Sequence, residues 1–398
     1  MKKTLIAFAA LSAIAGMAQA QSTVTLYGLL DANVAAEKTN VFKAGVTGTP
    51  TAAGSYTSLS QTKVGSGGLN GSRFGFRISE DLGGGLAAVG NLEGGINVDT
   101  GSSAQGALFG RQANVGVASK SLGTVTIGRN KTPYYDIHSG VGLRESNFDA
   151  TGGGTDATSP TSVTKFNPGS TTDTASLLGR GSVTWIGAQA RSNNSIRYTS
   201  PNVSGFSVSG LYGFGEDKTT TLDATKTYGL SARYGNGPVD AYVAYQSEAI
   251  AAAVGVKPAL ENILVGGSYD LGVAKLGATF NRAKFKDVVR TGFLNSAGAT
   301  VGVAGGAIDP QKEYGVSVAV PFGATVVEAN YGQSKGNTLG TSSGFGVQAL
   351  YTLSKRTTMY AGYSSVKAYD ELAKIQFAYT GSSIARNTLF AAGVRHTF

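Results

Sequence analysis

Residues 24–34 read Val24-Thr25-Leu26-Tyr27-Gly28-Leu29-Leu30-Asp31-Ala32-Asn33-Val34. Val24, Leu26, Gly28, Leu30, Ala32 and Val34 share one face of an extended chain, and Thr25, Tyr27, Asp31 and Asn33 share the other. Successive side chains of a strand point to opposite faces, so this period of two predicts a strand with one apolar and one polar face. The pattern recurs along the chain. Phe74, Phe76 and Ile78 oppose Arg73 and Arg77, and Leu92 opposes Asn91 and Glu93. Ile196 and Tyr198 oppose Ser195 and Arg197, and Tyr228, Leu230 and Ala232 oppose Ser231 and Arg233. Val239 and Val243 oppose Asp240, Leu276 and Phe280 oppose Lys275 and Thr279, and Tyr314 and Val316 oppose Glu313 and Ser317. Further runs continue to Phe398.

Composition narrows the class. The chain has 398 residues, of which 58 are Gly, 18 Tyr and 17 Phe, with one Trp and no Cys; 14% are charged, against ~25% in an average soluble domain. Without Cys there is no disulfide framework, no cysteine zinc site and no thiol nucleophile. Beyond the first twenty residues no run approaches the ~20 apolar residues of a transmembrane helix. Glycine shows no period of three, which excludes a collagen-like chain. A formal net charge of +9 raises nucleic acid as a partner, but Lys and Arg are dispersed and the N-terminus reads as an export signal. We therefore expect no nucleic-acid partner.

Lys2 and Lys3, an apolar stretch over residues 5–15, and Ala18-Gln19-Ala20 together have the form of a secretory signal peptide. We place the signal at 1–20 and a single barrel domain at 21–398. An exported chain without Cys must find its stability elsewhere, and a closed barrel supplies it by leaving no strand edge unpaired.

The connections alternate in length. Short ones at 81–85, 119–123, 201–205, 235–238, 270–272, 321–323 and 353–356 are built from residues that tolerate tight turns. Long ones rich in Gly, Ser, Thr and Ala fall at about 37–70, 130–190, 215–226, 249–260, 284–311 and 367–387. About sixteen strands of ~10 residues, with short turns at one end and long loops at the other, are the signature of a transmembrane antiparallel β-barrel of the bacterial outer membrane. Its apolar face meets outer-membrane lipid and lipopolysaccharide, and its polar face lines water. The chain ends on Phe398, which shares a face with Phe390, Ala392, Val394 and His396. A terminal Phe on an exported β-chain reads as an assembly signal for the barrel-assembly machinery.

Several segments carry a resemblance: Val24-Thr25-Leu26-Tyr27-Gly28, Ser72-Arg73-Phe74-Gly75-Phe76-Arg77, Glu80-Asp81-Leu82-Gly83-Gly84-Gly85-Leu86, Gly110-Arg111-Gln112-Ala113, Asn194-Ser195-Ile196-Arg197-Tyr198 and Val394-Arg395-His396-Thr397-Phe398. Together they resemble the trimeric general diffusion porins of Gram-negative bacteria, in particular the β-proteobacterial, anion-selective type. The resemblance implies a 16-stranded barrel, a homotrimer and a third loop folded inward to narrow the pore. It singles out Arg73, Arg111 and Arg191 as a basic cluster at the constriction, faced by Glu93 and by loop carboxylates among Asp136, Glu145 and Asp149.

Alternation by itself adds Arg77, Arg197, Arg233, Lys275 and Arg395 as basic lumen positions, and Asp31, Asp240, Glu313 and Glu328 as acidic ones. Fixed Arg in a narrow passage attracts anions, and the guanidinium stays charged and forks onto carboxylates and phosphates. Arg111 breaks the pattern. Strict alternation puts it with Val115 and Val117 on the lipid face, so either a bulge intervenes or it lies beyond the apolar band; Arg129, after Val125 and Ile127, poses the same question. No catalytic triad, metal-ligand cluster or phosphate loop is present, and we expect no enzymatic activity, cofactor or metal. Function therefore reads as passive diffusion of small anionic or neutral solutes, with an adhesion or structural barrel acting through its loops as the alternative.

Overall fold

A computed structural model describes residues 22–42, 56–140, 146, 148–150, 185–249, 254–255, 257–287, 293–294, 300–301, 307–371 and 384–398. The expected signal peptide and the candidate carboxylate Glu145 lie outside the described residues. The strands are β1 (Thr23–Phe42), β2 (Tyr56–Ser66), β3 (Arg73–Gly83), β4 (Leu86–Gly95), β5 (Gln112–Ser119), β6 (Gly123–Lys131), β7 (Arg191–Thr199), β8 (Phe206–Gly213), β9 (Thr227–Asn236) and β10 (Val239–Ala249). They continue with β11 (Ala259–Asp270), β12 (Lys275–Lys286), the short pair β13 (Phe293–Leu294) and β14 (Thr300–Val301), then β15 (Gln311–Phe322), β16 (Thr325–Gly336), β17 (Gly340–Thr352), β18 (Thr357–Lys367) and β19 (Ile384–Thr397). A helix, α1 (Pro133–Gly140), follows β6.

Seventeen strands form one antiparallel sheet that closes on itself where β1 pairs with β19. β2 and β3 pair with successive stretches of the same side of β1, residues 32–42 and 23–29 respectively. They thus fill one position between them, and the closed ring has sixteen. Apart from β2, which shares a position with β3, and the separate β13–β14 pair, successive strands are barrel neighbours, as expected for strands joined by hairpins and loops.

Polarity is inverted relative to a water-soluble protein. Val24, Leu26, Leu30, Val34, Val115, Ile127, Leu230, Val265 and Val316 are exposed, while Asp31, Asn33, Gln246, Asn262, Asn281, Glu313 and Ser334 are buried. The exposed set is the apolar face of the alternation, and the buried set is its polar face. A barrel whose outer wall is apolar and whose interior is polar fits a lipid surround.

The closing seam is tight. Gly28 and Phe398 exchange backbone hydrogen bonds at 3.1 Å in both directions. The ring of Phe398 lies over Gly28 so closely that a Cβ there would sit 2.2 Å from ring carbon Cζ. At the tight-turn end, Gly83, Gly84 and Gly85 all hold positive φ, at 79°, 60° and 80°, a run that only glycine takes without strain.

One expected boundary shifts. Most of the described part of the stretch 37–70, read as a loop, is strand: β1 runs on to Phe42 and β2 returns beside it. Its sequence hid this because most of β2 is polar on both faces, and alternation is visible only where one face is apolar. The break between β2 and β3 is built around Asp31. Its carboxylate accepts N–H bonds from Gly68 (3.0 Å), Leu69 (2.8 Å) and Asn70 (2.9 Å), and a hydroxyl bond from Tyr360 (2.5 Å). Ser72 Oγ accepts the Asp31 N–H at 2.9 Å. Asp31 is therefore consumed in repairing an interrupted strand.

Gly28→Val should displace the Phe398 ring from the seam. Overpacking of this kind costs about 1–3 kcal/mol. The temperature at which the folded form is lost on SDS gels should fall, with unchanged mobility below it; an unaltered transition temperature would show that the ring's seat does not matter.

Candidate functional site

One stretch of inner wall concentrates positive charge. Arg73 opens β3, anchored by Nε to the Gly71 carbonyl at 3.0 Å. Two residues along the same face is Gly75, which leaves room for the Tyr27 ring: a Cβ there would lie 2.9 Å from Tyr27 Cζ. Arg77 lies over that ring, 4.1 Å from its centroid, a cation–π contact. Tyr27 donates its hydroxyl to Asn91 and Glu93, both at 2.9 Å. Glu93 in turn receives Arg111 Nε at 2.7 Å, in an ion pair whose side chains are 4% and 0% exposed.

Arg111 thus points inward, which settles the question its parity raised. β5 begins only at Gln112, and Arg111 sits in the bend before it, with its N–H on the Glu93 carbonyl at 3.0 Å. Arg129 is resolved differently. β6 carries a bulge where its pairing with β7 shifts between Gly128 and Asn130, and Gly128 has φ of 128°. The bulge gives β6 an extra residue and Arg129 turns to bond Gly110 O (2.7 Å) and Asn193 Oδ1 (2.5 Å).

Lys131 and Arg191 are cross-strand partners at the ends of β6 and β7. Arg191 donates Nε to the Arg111 carbonyl at 2.8 Å and lies 5.3 Å from the Tyr135 ring centroid. Glu93 is within electrostatic reach of Arg111, Arg73 and Lys131, and Arg129 within reach of Arg191. Three cations thus act on Glu93, and Arg129 and Arg191 lie beside each other nearby, while Lys131 also feels Asp136. Arg73, Arg129 and Lys131 keep partial exposure, whereas Arg111 and Arg191 are buried. Arg73, Arg77, Arg129 and Lys131 make no ion pair among the described residues.

The acidic candidates fare differently. Asp136 pairs with Arg197 at 2.5 Å, and Asp240 forks onto Arg233 at 2.8 and 2.6 Å near a tight turn. Glu313 is fully buried, accepting from Asn281 (2.6 Å), Ser334 (3.1 Å) and the Ile186 N–H (2.5 Å). Glu328 receives Gln348. Lys275 lies exposed at the turn end of β12, and Arg395 donates to Asn70 Oδ1 at 2.8 Å.

The segment between β6 and β7 starts with Thr132-Pro133, a helix-start signature that the sequence reading passed over within its long loop. Thr132 Oγ1 accepts the Tyr135 N–H at 3.3 Å and caps α1. Tyr134 and Ile137 pack with Trp185 and Ala188 against Tyr242, Ala244 and Leu264, on the inner faces of β10 and β11. The return limb is bonded to the same wall through Gln189 N–H to Glu248 (2.5 Å) and Asn262 Nδ2 to the Gly187 carbonyl (2.9 Å). Farther along, Ser146 Oγ donates to Gln348 at 2.9 Å, and Ala150 N–H to Asn330 at 2.7 Å, on β17 and β16. Asp149 lies within electrostatic reach of Tyr242 on β10.

Sequence reasoning found Arg73, Arg77, Glu93, Arg111 and Arg191 in this neighbourhood but assigned no wall role to Lys131 and left open whether a bulge turns Arg129. Gly128 inside a strand is the local signal for that bulge and its change of parity. Arg197 and Arg233 face inward yet are neutralised by partners, so they add little field.

Comparison with known proteins agrees with this geometry. A family model described as Gram-negative porin matches residues 7–370. Outer membrane porin protein 32 of Delftia acidovorans is 31% identical over the full length of both chains. An outer membrane porin protein of Bordetella pertussis is 30% identical, again over both full lengths. Among solved structures, the anion-selective porin from Comamonas acidovorans superposes with a TM-score of 0.64 at 28% identity, covering 95% of this chain and 100% of its own.

Glu93→Gln would remove one buried counter-charge from Arg111. Breaking a buried ion pair by removing one partner costs up to about 3–5 kcal/mol. The denaturant midpoint should fall sharply, and Glu93→Gln combined with Arg111→Met should recover part of the loss; equal stability of the single variant and the parent would refute the pairing.

Proposed function

The chain belongs to the family of Gram-negative porins, and from that membership we propose that its water-filled barrel prefers anions because one stretch of wall carries more cations than carboxylates, several of them in no ion pair among the described residues. As an outer-membrane porin it is a channel for passive diffusion of small hydrophilic solutes. The preference rests on one observation: Arg73, Arg77, Arg129 and Lys131 lack ion pairs among the described residues, whereas Asp31, Asp240 and Glu313 are taken up by internal bonds. A passage with low-dielectric walls concentrates the field of such a wall and raises the local concentration of anions. The similar barrel from Comamonas acidovorans is an anion-selective porin, which is in keeping with this reading.

The segment between β6 and β7 supports a constriction. Its described residues bind the inner face at β10–β11 and again at β16–β17, which supports a segment that occupies part of the lumen. Asp136 and Asp149 are then the candidate constriction carboxylates on its described residues, with Asp136 held on Arg197. Arg111 and Arg191, being buried, act by holding Glu93 and the segment's base in place more than by touching solute.

A homotrimer fits the open edge of β2. That strand pairs only with β1 among the described residues, and an exposed edge of this length calls for a cover, which a neighbouring copy would provide. Phe398, seated on Gly28, is proposed as the assembly signal read by the barrel-assembly machinery, and the apolar outer wall as the surface for lipid and lipopolysaccharide.

Under a KCl gradient in planar bilayers the protein should give a reversal potential of anion-selective sign. Arg73→Gln with Lys131→Gln should lower the anion-to-cation permeability ratio several-fold, on the scale of the ~1 kcal/mol that a unit charge exerts at 4 Å in water. Cation preference in the parent would sink the basic-wall reading, and absence of conductance would favour an adhesion or structural barrel.

A further inference from the structure

Phe148 belongs to the segment between β6 and β7, yet its ring is fully buried against β17 and β18. The inner-face positions beneath it are glycines. A Cβ on Gly362 would lie 2.7 Å from Phe148 Cγ, and a Cβ on Gly346 would lie 1.6 Å from the Phe148 carbonyl oxygen. Tyr360 meets the ring edge-on, at 6.3 Å between centroids and 65° between planes. Asn330 holds the backbone on both sides, donating to the Phe148 carbonyl at 3.0 Å and accepting the Ala150 N–H at 2.7 Å.

We propose that Gly346 and Gly362 form a seat for Phe148, and that this seat is the latch that sets the width of the passage. The inference rests on the reading above that this segment narrows the lumen. Any residue larger than glycine at either position would fill the hollow, because the seated group touches strand backbone directly. The Asn330 bonds go to main-chain atoms and would accept many sequences, so the aromatic ring supplies the selective fit. A buried apolar knob also resists sliding, since moving it would put the ring into water. Asp149 follows Phe148 directly, so the latch also fixes where that carboxylate stands in the passage.

The absence of Cys allows a reversible test. In Phe148→Cys/Gly362→Cys the two Cβ atoms would stand within reach of a disulfide, which needs a Cβ–Cβ separation of ~3.5–4.5 Å. Oxidised, this variant should conduct like the parent. Reduced, it should show a higher single-channel conductance and admit larger neutral polymers, and reoxidation should reverse both. Phe148→Ala and Gly362→Leu should behave like the reduced form. Trp185, the sole tryptophan, is buried on the return limb, and its emission should stay the same throughout, showing that the limb remains docked. Equal conductance in the two redox states, or failure of the thiols to join in folded protein, overturns the latch. A bulky thiol reagent on Asp149→Cys tests the underlying reading separately. Current block there without a redox effect in the double variant rejects the latch alone, and no block rejects the constriction itself.

Discussion

A strand inside a bilayer has no water to satisfy its backbone, so every N–H and C=O must find a partner within the protein. That requirement dictates the rest of this structure. It forces the sheet to close through β1 and β19, and it makes the outer wall apolar and the inner wall polar. It also explains Asp31. Where β2 gives way to β3, three consecutive N–H groups lose their strand partner, and a single buried carboxylate takes all three. An interruption of the barrel wall thus costs the chain one acidic residue and supplies a short inward fold at 67–72. Leu69 from this fold packs in the same apolar cluster as Phe148, and Asn70 meets Arg395.

The same logic shapes the lumen's charge. The inner wall contains acidic and basic residues in comparable variety, but they are not equally available to a passing ion. Asp31 is spent on backbone, Glu313 and Glu248 on the return limb, Asp240 on Arg233. Glu93 sits within the basic cluster and is bound by Arg111 and Tyr27. Internal tethers need acceptors, since the inward segment presents its N–H groups to the wall, and carboxylates are the strongest acceptors there. Tethering therefore draws down negative charge, while the cations of β3 and β6 make no ion pair among the described residues. On this view an anion preference is partly a by-product of how the segment is fastened.

Much of this was legible in the sequence. Alternation gave nearly every strand, the closure and the inward position of Arg73, Arg77 and Glu93, because a period of two is a direct image of the pleat. It failed where the period breaks. Bends and bulges at Gly110 and Gly128 turned Arg111 and Arg129 inward against their parity, and a β2 polar on both faces left no alternation to see. Pairwise commitments were invisible for another reason. Nothing in the chain's order reveals that Asp240 answers Arg233 but Glu313 answers Ile186, since one partner is close in sequence and the other is 127 residues away.

Glycine content shows how far composition can be misread. The abundance looks like turn chemistry, and at 83–85 it is. Yet Gly28, Gly75, Gly346 and Gly362 sit inside strands, where glycine weakens pairing and is otherwise disfavoured. Each underlies an aromatic ring or a crossing backbone: Phe398, Tyr27 and Phe148. A barrel wall offers no hollow unless a side chain is removed from it, so seating a large group flat on the wall requires glycine beneath. Strand glycines on the inner face are therefore marks of contact, and read that way they point to where an inward segment lands. The landing site of Phe148 was encoded in β17 and β18 all along, as two glycines among polar neighbours, even though Phe148 itself carried no sign of its destination.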